Sequence, residues 1–380
     1  MNKKIIWERF PKLIQASIAK FLLGFTAFVP LLNQRSLAQD TQVATNHPAV
    51  RSARFVYESA PFPSCHASTI EDTPSGLVAA WFGGTHEKHP DVGIWVSVFR
   101  DGKWTEPVEV ANGKGAGPAG SQLPTWNPVL FQPKKSRDGN PQPLYLFYKV
   151  GPTPETWWGM EIHSLDQGKT WSKPLRLEEG FLGPIKNKPI ELENGDWLCP
   201  TSSETEEEPS KWQIHFEHFG FEDRKWTKSA SLNDGIEIQA IQPAILRLGS
   251  GKVKAIGRSR QNKIFETTST DFGKTWTSLS LGNLPNNNSG LDALTLKDGR
   301  HLVVYNHIGG TPGQWGGKRT PLNVALSKDS TDWTPSVVLE NTPGEFSYPA
   351  VIQSSDGLIH ITYTWNRKKI KHVVLDPTKL

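Results

Sequence analysis

The chain has 380 residues, with 15 Trp, 33 Gly and 29 Pro against only two Met and two Cys. Gly and Pro interrupt helices and Trp favours strands, so the composition argues for an all-β protein with many turns. The formal net charge of +4 falls to −1 once the six basic and one acidic residues of the first 38 are set aside, which removes the electrostatic case for a nucleic-acid partner.

Residues 1–38 read as a signal peptide. Lys3, Lys4, Arg9, Lys12 and Lys20 precede an apolar run from Phe21 to Leu32, and Ser36 and Ala38 offer a small-residue cleavage site before Gln39. The run is short for a membrane span, so the expectation is a secreted or periplasmic protein without stable membrane insertion after cleavage; an uncleaved anchor is the alternative. Residues 39–50 read as a flexible linker and 51–380 as one domain. Cys65 and Cys199 permit one disulfide at most, so the domain must be held by its core.

Within the domain one pattern recurs six times: a polar or small residue, an apolar run, a Gly-containing turn and a second apolar run. The copies open at His66, Asn127, Lys188, Gln242, Gly290 and Tyr348, at intervals of 61, 61, 54, 48 and 58 residues. Each reads as a hairpin with a D-G, N-G or S-G type turn. Between them stand Ser164-LDQGKT-Trp171 and Ser269-TDFGKT-Trp276, with weaker versions ending at Trp104, Trp226 and Trp333. Here Asp and Gly suit a tight turn and Trp folds back as an apolar plug, which makes Asp166 and Asp271 structural. Six units of about four strands predict a six-bladed β-propeller of four-stranded antiparallel blades.

The S-x-D-x-G-x-x-W stretches resemble the Asp-boxes of the sialidase (neuraminidase) superfamily. The resemblance implies three arginines for a substrate carboxylate, a tyrosine nucleophile activated by a glutamate, and an aspartate acid/base. Tyr348, in Y-P-A-V, is similar in place to the tyrosine; Arg258 and Arg319 resemble the second and third arginines; Asp91 sits where the acid/base would be. Two positions depart. Ser64-Cys65-His66-Ala67 stands where the first arginine should be, and Gln242 replaces the glutamate and cannot take the phenol's proton.

In a propeller the inner strands open near the axis, so His66, Asn127, Lys188, Gln242, the segment 288–292 and Tyr348 are expected to face a shared funnel. Second strands end at Lys149, Arg258, Arg260, Asn306, His307 and Arg367. Converging cations suit a carboxylate, because Arg offers a planar bidentate fork. His66 titrates near neutrality and can act as base or acid. Trp157 and Trp315 offer faces for sugar stacking, and Glu87 and residues 286–288 could bind hydroxyls. The spacing of His86 and His89 is too weak a signal for a metal, and no nucleotide fingerprint is present, so neither metal nor cofactor is expected.

These features predict an exported, monomeric, exo-acting glycoside hydrolase of sialidase type on acidic oligosaccharide or polysaccharide. Tyr348, Asp91, His66 and Gln242 form its catalytic set, and Arg258, Arg319, Lys188, Asn127, Asn306 and Trp157 bind substrate. The alternatives are a propeller lyase or glycosidase acting on uronate-containing polysaccharide, with His66 as acid/base, or a carbohydrate-binding propeller without catalysis.

Overall fold

The computed structural model describes residues 46–380 apart from 135, 137–138 and 312–315. The leader, most of the linker and Trp315 therefore lie outside the described residues. The rest forms the expected six-bladed propeller, each blade an antiparallel sheet. The first blade comprises Ser64–Thr73, Gly76–Gly84 and Gly93–Arg100, and its third strand pairs with both Lys103–Trp104 and Val108–Ala111. The sixth blade contributes Phe346–Gln353, Ile359–Trp365 and Lys369–Leu375. Its fourth strand is Val50–Phe55, with Val50 opposite Leu375, so the ring closes by pairing the two ends of the domain.

The core lies between blades. Val78, Ile94, Leu130, Leu146 and Tyr148 form one such seam, all but excluded from solvent. Burying each large apolar side chain is worth about 1.5–3 kcal/mol, so six seams hold the ring without staples. Cys65 and Cys199 are free and buried in the first and third blades. In the Asp-boxes, the Asp271 carboxylate accepts from Ser269, from the Lys274 and Thr275 amides and from the Thr275 hydroxyl. Trp276 then stacks on Phe216 of the preceding blade at 3.9 Å between ring centres. Asp329 repeats part of this bonding with Ser327, Thr331 and Asp332.

A left-handed residue marks four inner strands and the loop that leads into a fifth. Ala67, Asn127, Gln242, Asn288 and Tyr348 have φ of +55°, +30°, +57°, +63° and +50°, and each is followed by Pro or Ser. In the four strands the pairing register slips across this residue. A bulge of this kind re-aims one side chain out of the pleat, and it costs backbone strain. The finding corrects the repeat alignment by one residue in the first blade. Ala67, not His66, is the equivalent of Tyr348 and Gln242.

Candidate functional site

Tyr348 is the hub of the site. The Arg258 guanidinium donates to its hydroxyl at 2.8 Å, and the Gln242 amide lies 3.4 Å from the same oxygen. Arg258 also bonds the side-chain oxygens of Gln242, at 3.3 Å, and Asn288, at 3.1 Å. Three of the five positive-φ residues thus meet around one guanidinium. Its bonds go to neutral groups, so its charge is not cancelled by a direct ion pair there.

Two more arginines complete the wall. The Arg319 guanidinium carbon lies 5.6 Å from the centre of the Tyr348 ring, and that of Arg258 lies 5.9 Å away. Arg319 bonds Glu345 at 3.1 Å, and Arg367 bonds both oxygens of the same carboxylate at 3.0 and 3.1 Å. Arg367 further pairs with Glu87 at 2.5 Å. Burial alone would raise the Glu345 carboxyl, but Arg319 and Arg367 outweigh it and hold the group below its usual range. Arg367 reaches this position because its backbone carbonyl accepts from Cys65, which joins the end of the sixth blade to the start of the first. It stands beside the Ser64–Ala67 stretch that lacks the arginine implied by the family resemblance.

His66 packs on Tyr348 at 4.2 Å between ring centres and bonds Thr364 through Nδ1 at 3.0 Å. Burial first, and then Arg367, Arg319, Arg258 and Lys186, push its pKa well below the ordinary value. It is therefore a neutral imidazole at pH 7. Beneath Tyr348, Lys186 donates to Asn187, to the Leu291 carbonyl and to the Pro349 carbonyl at 2.8, 2.9 and 2.6 Å. Burial is the main reason that its pKa drops to about 7.

The remaining expected residues are placed differently. Lys188 stands 3.8 Å from Asp292, which also accepts from the Val351 amide. Asn127 is buried at its own bulge. Asn306 is fully buried and holds the Pro321 and Phe346 carbonyls at 3.0 Å each. Trp157 lines a groove between the second and third blades, edge-on to Trp126. Asp91 lies in the loop after Gly76–Gly84, held by the Thr85 amide and hydroxyl at 3.0 and 2.6 Å and by His89 at 2.7 Å. Burial would raise its carboxyl, but these bonds prevail and lower it. Lys149 is buried, with its amine on the Pro184 carbonyl. Asn286 and Asn287 are inaccessible, and Glu87 is engaged by Arg367.

Sequence reasoning assigned no role to Glu345 or Lys186, and it saw Arg367 only as a strand-end cation. The available signal was chemical. A lone Glu near the sixth inner strand, flanked along the chain by Arg319 and Arg367, is a natural counter-ion for both.

A six-bladed ring with Asp-boxes and an arginine-lined tyrosine at its axis defines a sialidase-like BNR propeller. Residues 75–361 match the BNR repeat-like domain, and the chain belongs to that family. Over 236 residues it is 24% identical to the anhydrosialidase of Macrobdella decora, a match covering 55% of this chain and 30% of that protein. The chain thus spans about a third of that relative's length. Among solved structures, a protein of unknown function from Dyadobacter fermentans superposes with a TM-score of 0.67 at 19% identity, covering 87% of this chain and 99% of that one. The NanB sialidase from Streptococcus pneumoniae superposes with a TM-score of 0.65 at 14% identity, covering 86% and 71%. At these identities the structural likeness speaks for the fold.

Proposed function

We propose that the protein is an exported glycosidase that removes a terminal acidic sugar, sialic acid or a close relative, from the end of a glycan. The observation that carries this reading is the Tyr348 hydroxyl bonded to Arg258, with Arg319 beside its ring and Arg367 tied to Arg319 through Glu345. Guanidiniums match a carboxylate in shape and charge, and aimed before the substrate arrives they cost little reorganisation. The sugar carboxylate lies on the arginines and brings the anomeric carbon over Tyr348. Arg258 stabilises negative charge on the phenol oxygen, which supports that oxygen as the attacking group in the absence of a glutamate at position 242. The neutral His66 keeps the ring in place and adds no further charge.

A second reading has one specific support: Gln242, and not a carboxylate, contacts the phenol, while a neutral imidazole lies against its ring. That pairing also suits elimination from a uronate, in which His66 or Tyr348 takes the proton at C5 and the bond from C4 to oxygen breaks. Incubation with sialosides and uronate-capped oligosaccharides separates the two. Free sialic acid, lost in Tyr348→Phe, supports hydrolysis; a rise in absorbance from an unsaturated uronate, lost in His66→Ala, supports elimination. Neither signal would contradict both.

A further inference from the structure

A hydrolase needs a group that gives a proton to the departing oxygen. The carboxylates tied to the arginine wall and to the neighbouring loops are already engaged. Glu345 and Glu87 are bonded to arginines, Asp292 accepts from the Val351 and Ala293 amides beside Lys188, and Asp91 is held ionised by Thr85 and His89. For Glu345 and Asp91 these surroundings hold the carboxyl below its ordinary range, and Glu87 and Asp292 are taken up by their partners.

Glu204 is different. It ends the strand Trp197–Glu204 of the third blade, where its cross-strand partner is Trp212. The guanidinium carbons of Arg258 and Arg260 lie 4.9 and 4.3 Å from the Trp212 ring centre. Two residues earlier on the same strand face, the Ser202 hydroxyl accepts from the backbone N–H of Gln242 at 3.1 Å. Glu204 thus stands one pleat repeat beyond the contact to Gln242, next to the arginine that holds Tyr348. It also lines a cavity of about 540 Å³ between the second and third blades, with Glu155, Trp157, His215 and Lys228. That volume lies in the range that holds small ligands.

We propose that Glu204 is the proton donor to the leaving oxygen, and that the cavity beside it receives the neutral saccharide that leaves; this rests on the hydrolase reading above. The Tyr348 oxygen bonds the anomeric carbon as the glycosidic C–O bond breaks, the phenol proton passing to solvent water and the Glu204 carboxyl proton to the leaving oxygen. Water then adds its hydroxyl to the anomeric carbon and returns its other proton to Glu204, while the bond to Tyr348 breaks and the phenol regains its proton from solvent. The groups facing Glu204 are Glu155 from the second blade, Arg258 and Arg260 from the fourth, and the indole of Trp212. Burial foremost, joined by Glu155, outweighs the arginines and raises the carboxyl above its ordinary range. A carboxyl shifted in this direction suits a proton donor.

The test compares leaving groups that do and do not need a proton. For Glu204→Gln, kcat/KM on sialyllactose is expected to fall about 10²–10⁴-fold, while 4-nitrophenyl sialoside stays within about tenfold of wild type. Glu155→Gln removes a neighbouring negative charge, so the alkaline limb of the sialyllactose profile should move to lower pH. Equal loss on both substrates in a folded variant, or no loss on either, would overturn the assignment. Should Glu204→Gln not fold, Glu204→Asp withdraws the carboxyl by one methylene and must show the same preferential loss on sialyllactose; an equal loss again overturns it. A wild-type protein that turns over neither substrate contradicts the hydrolase reading itself, a failure visible before any variant is made.

Discussion

Arg319 and Arg367 share the carboxylate of Glu345, one through a single bond and the other through a bifurcated bond from Nε to both oxygens. They come from different segments, before and after the inner strand of the sixth blade, and Glu345 sits at the start of that strand. A carboxylate between two guanidiniums lowers their mutual repulsion and fixes their orientation before any ligand arrives. Arg258, with no such counter-ion directly bonded to it among the described residues, leaves the pocket positive on the side of Tyr348.

Arg258→Lys keeps the charge but loses the fork that bonds Tyr348, Gln242 and Asn288 together. Bonds to charged groups are worth about 1.5–3 kcal/mol each, so turnover of an acidic glycoside should fall about 10- to 100-fold. Steady-state kinetics check this; unchanged kcat/KM would mean that the fork does not position the site.

Tyr348→Phe removes only the hydroxyl. The ring still packs on His66, so the thermal midpoint should change little while kcat falls by about 10²–10⁴-fold. A variant that keeps its activity would exclude the phenol oxygen from the chemistry.

The bulges explain how much of this was legible beforehand. The six-fold recurrence, the Asp-boxes and the polar openings of the inner strands could be read because turn chemistry and apolar periodicity are local. Tyr348, Gln242 and Arg258 were reached this way and Arg319 through the resemblance to the sialidase superfamily, and the structure brings them together. The one-residue register in the first blade was not legible, because Ala67 carries no sign of its positive φ other than the small residue after it. The pairing of Arg367 with Glu345 also escaped: the two meet because Phe346 pairs with Trp365 at the open end of one hairpin of the sixth blade, and that register is not written in the local pattern. Asn306 was expected to bind substrate from its place at a strand end, yet its amide is spent on two buried carbonyls.

Ala67 tests the bulge itself. Its φ of +55° suits a small residue and is strained for a β-branched one, and the site is buried. Ala67→Val should cost about 1–3 kcal/mol, read as a lower unfolding midpoint in denaturant. An unchanged midpoint would show that the bulge is not strained.

Acid should loosen the seam between the sixth and first blades. Trp104 donates to Nδ1 of His372 at 3.3 Å, and His372 lies 3.0 Å from Nδ1 of His360. Burial, then His360 and Arg54, lowers the His372 pKa to about 3. The unfolded chain takes this proton near pH 6.5, so the contribution is complete above that pH and is lost as the pH falls towards 3. A chevron or urea series across that window should show stability declining, with a shallower decline in His372→Asn, by on the order of a few kcal/mol in total. Parallel pH dependences would contradict the assignment.

The claim that a sugar carboxylate sits on the Arg258, Arg319 and Arg367 wall is tested most directly by calorimetric binding of sialyllactose and its methyl ester to Tyr348→Phe. The ester removes that charge and adds one methyl group. The account predicts that the acid binds at least about 100-fold more tightly than the ester, a gap of about 2.7 kcal/mol, and that the gap shrinks in Arg258→Lys. Equal binding of acid and ester would contradict it.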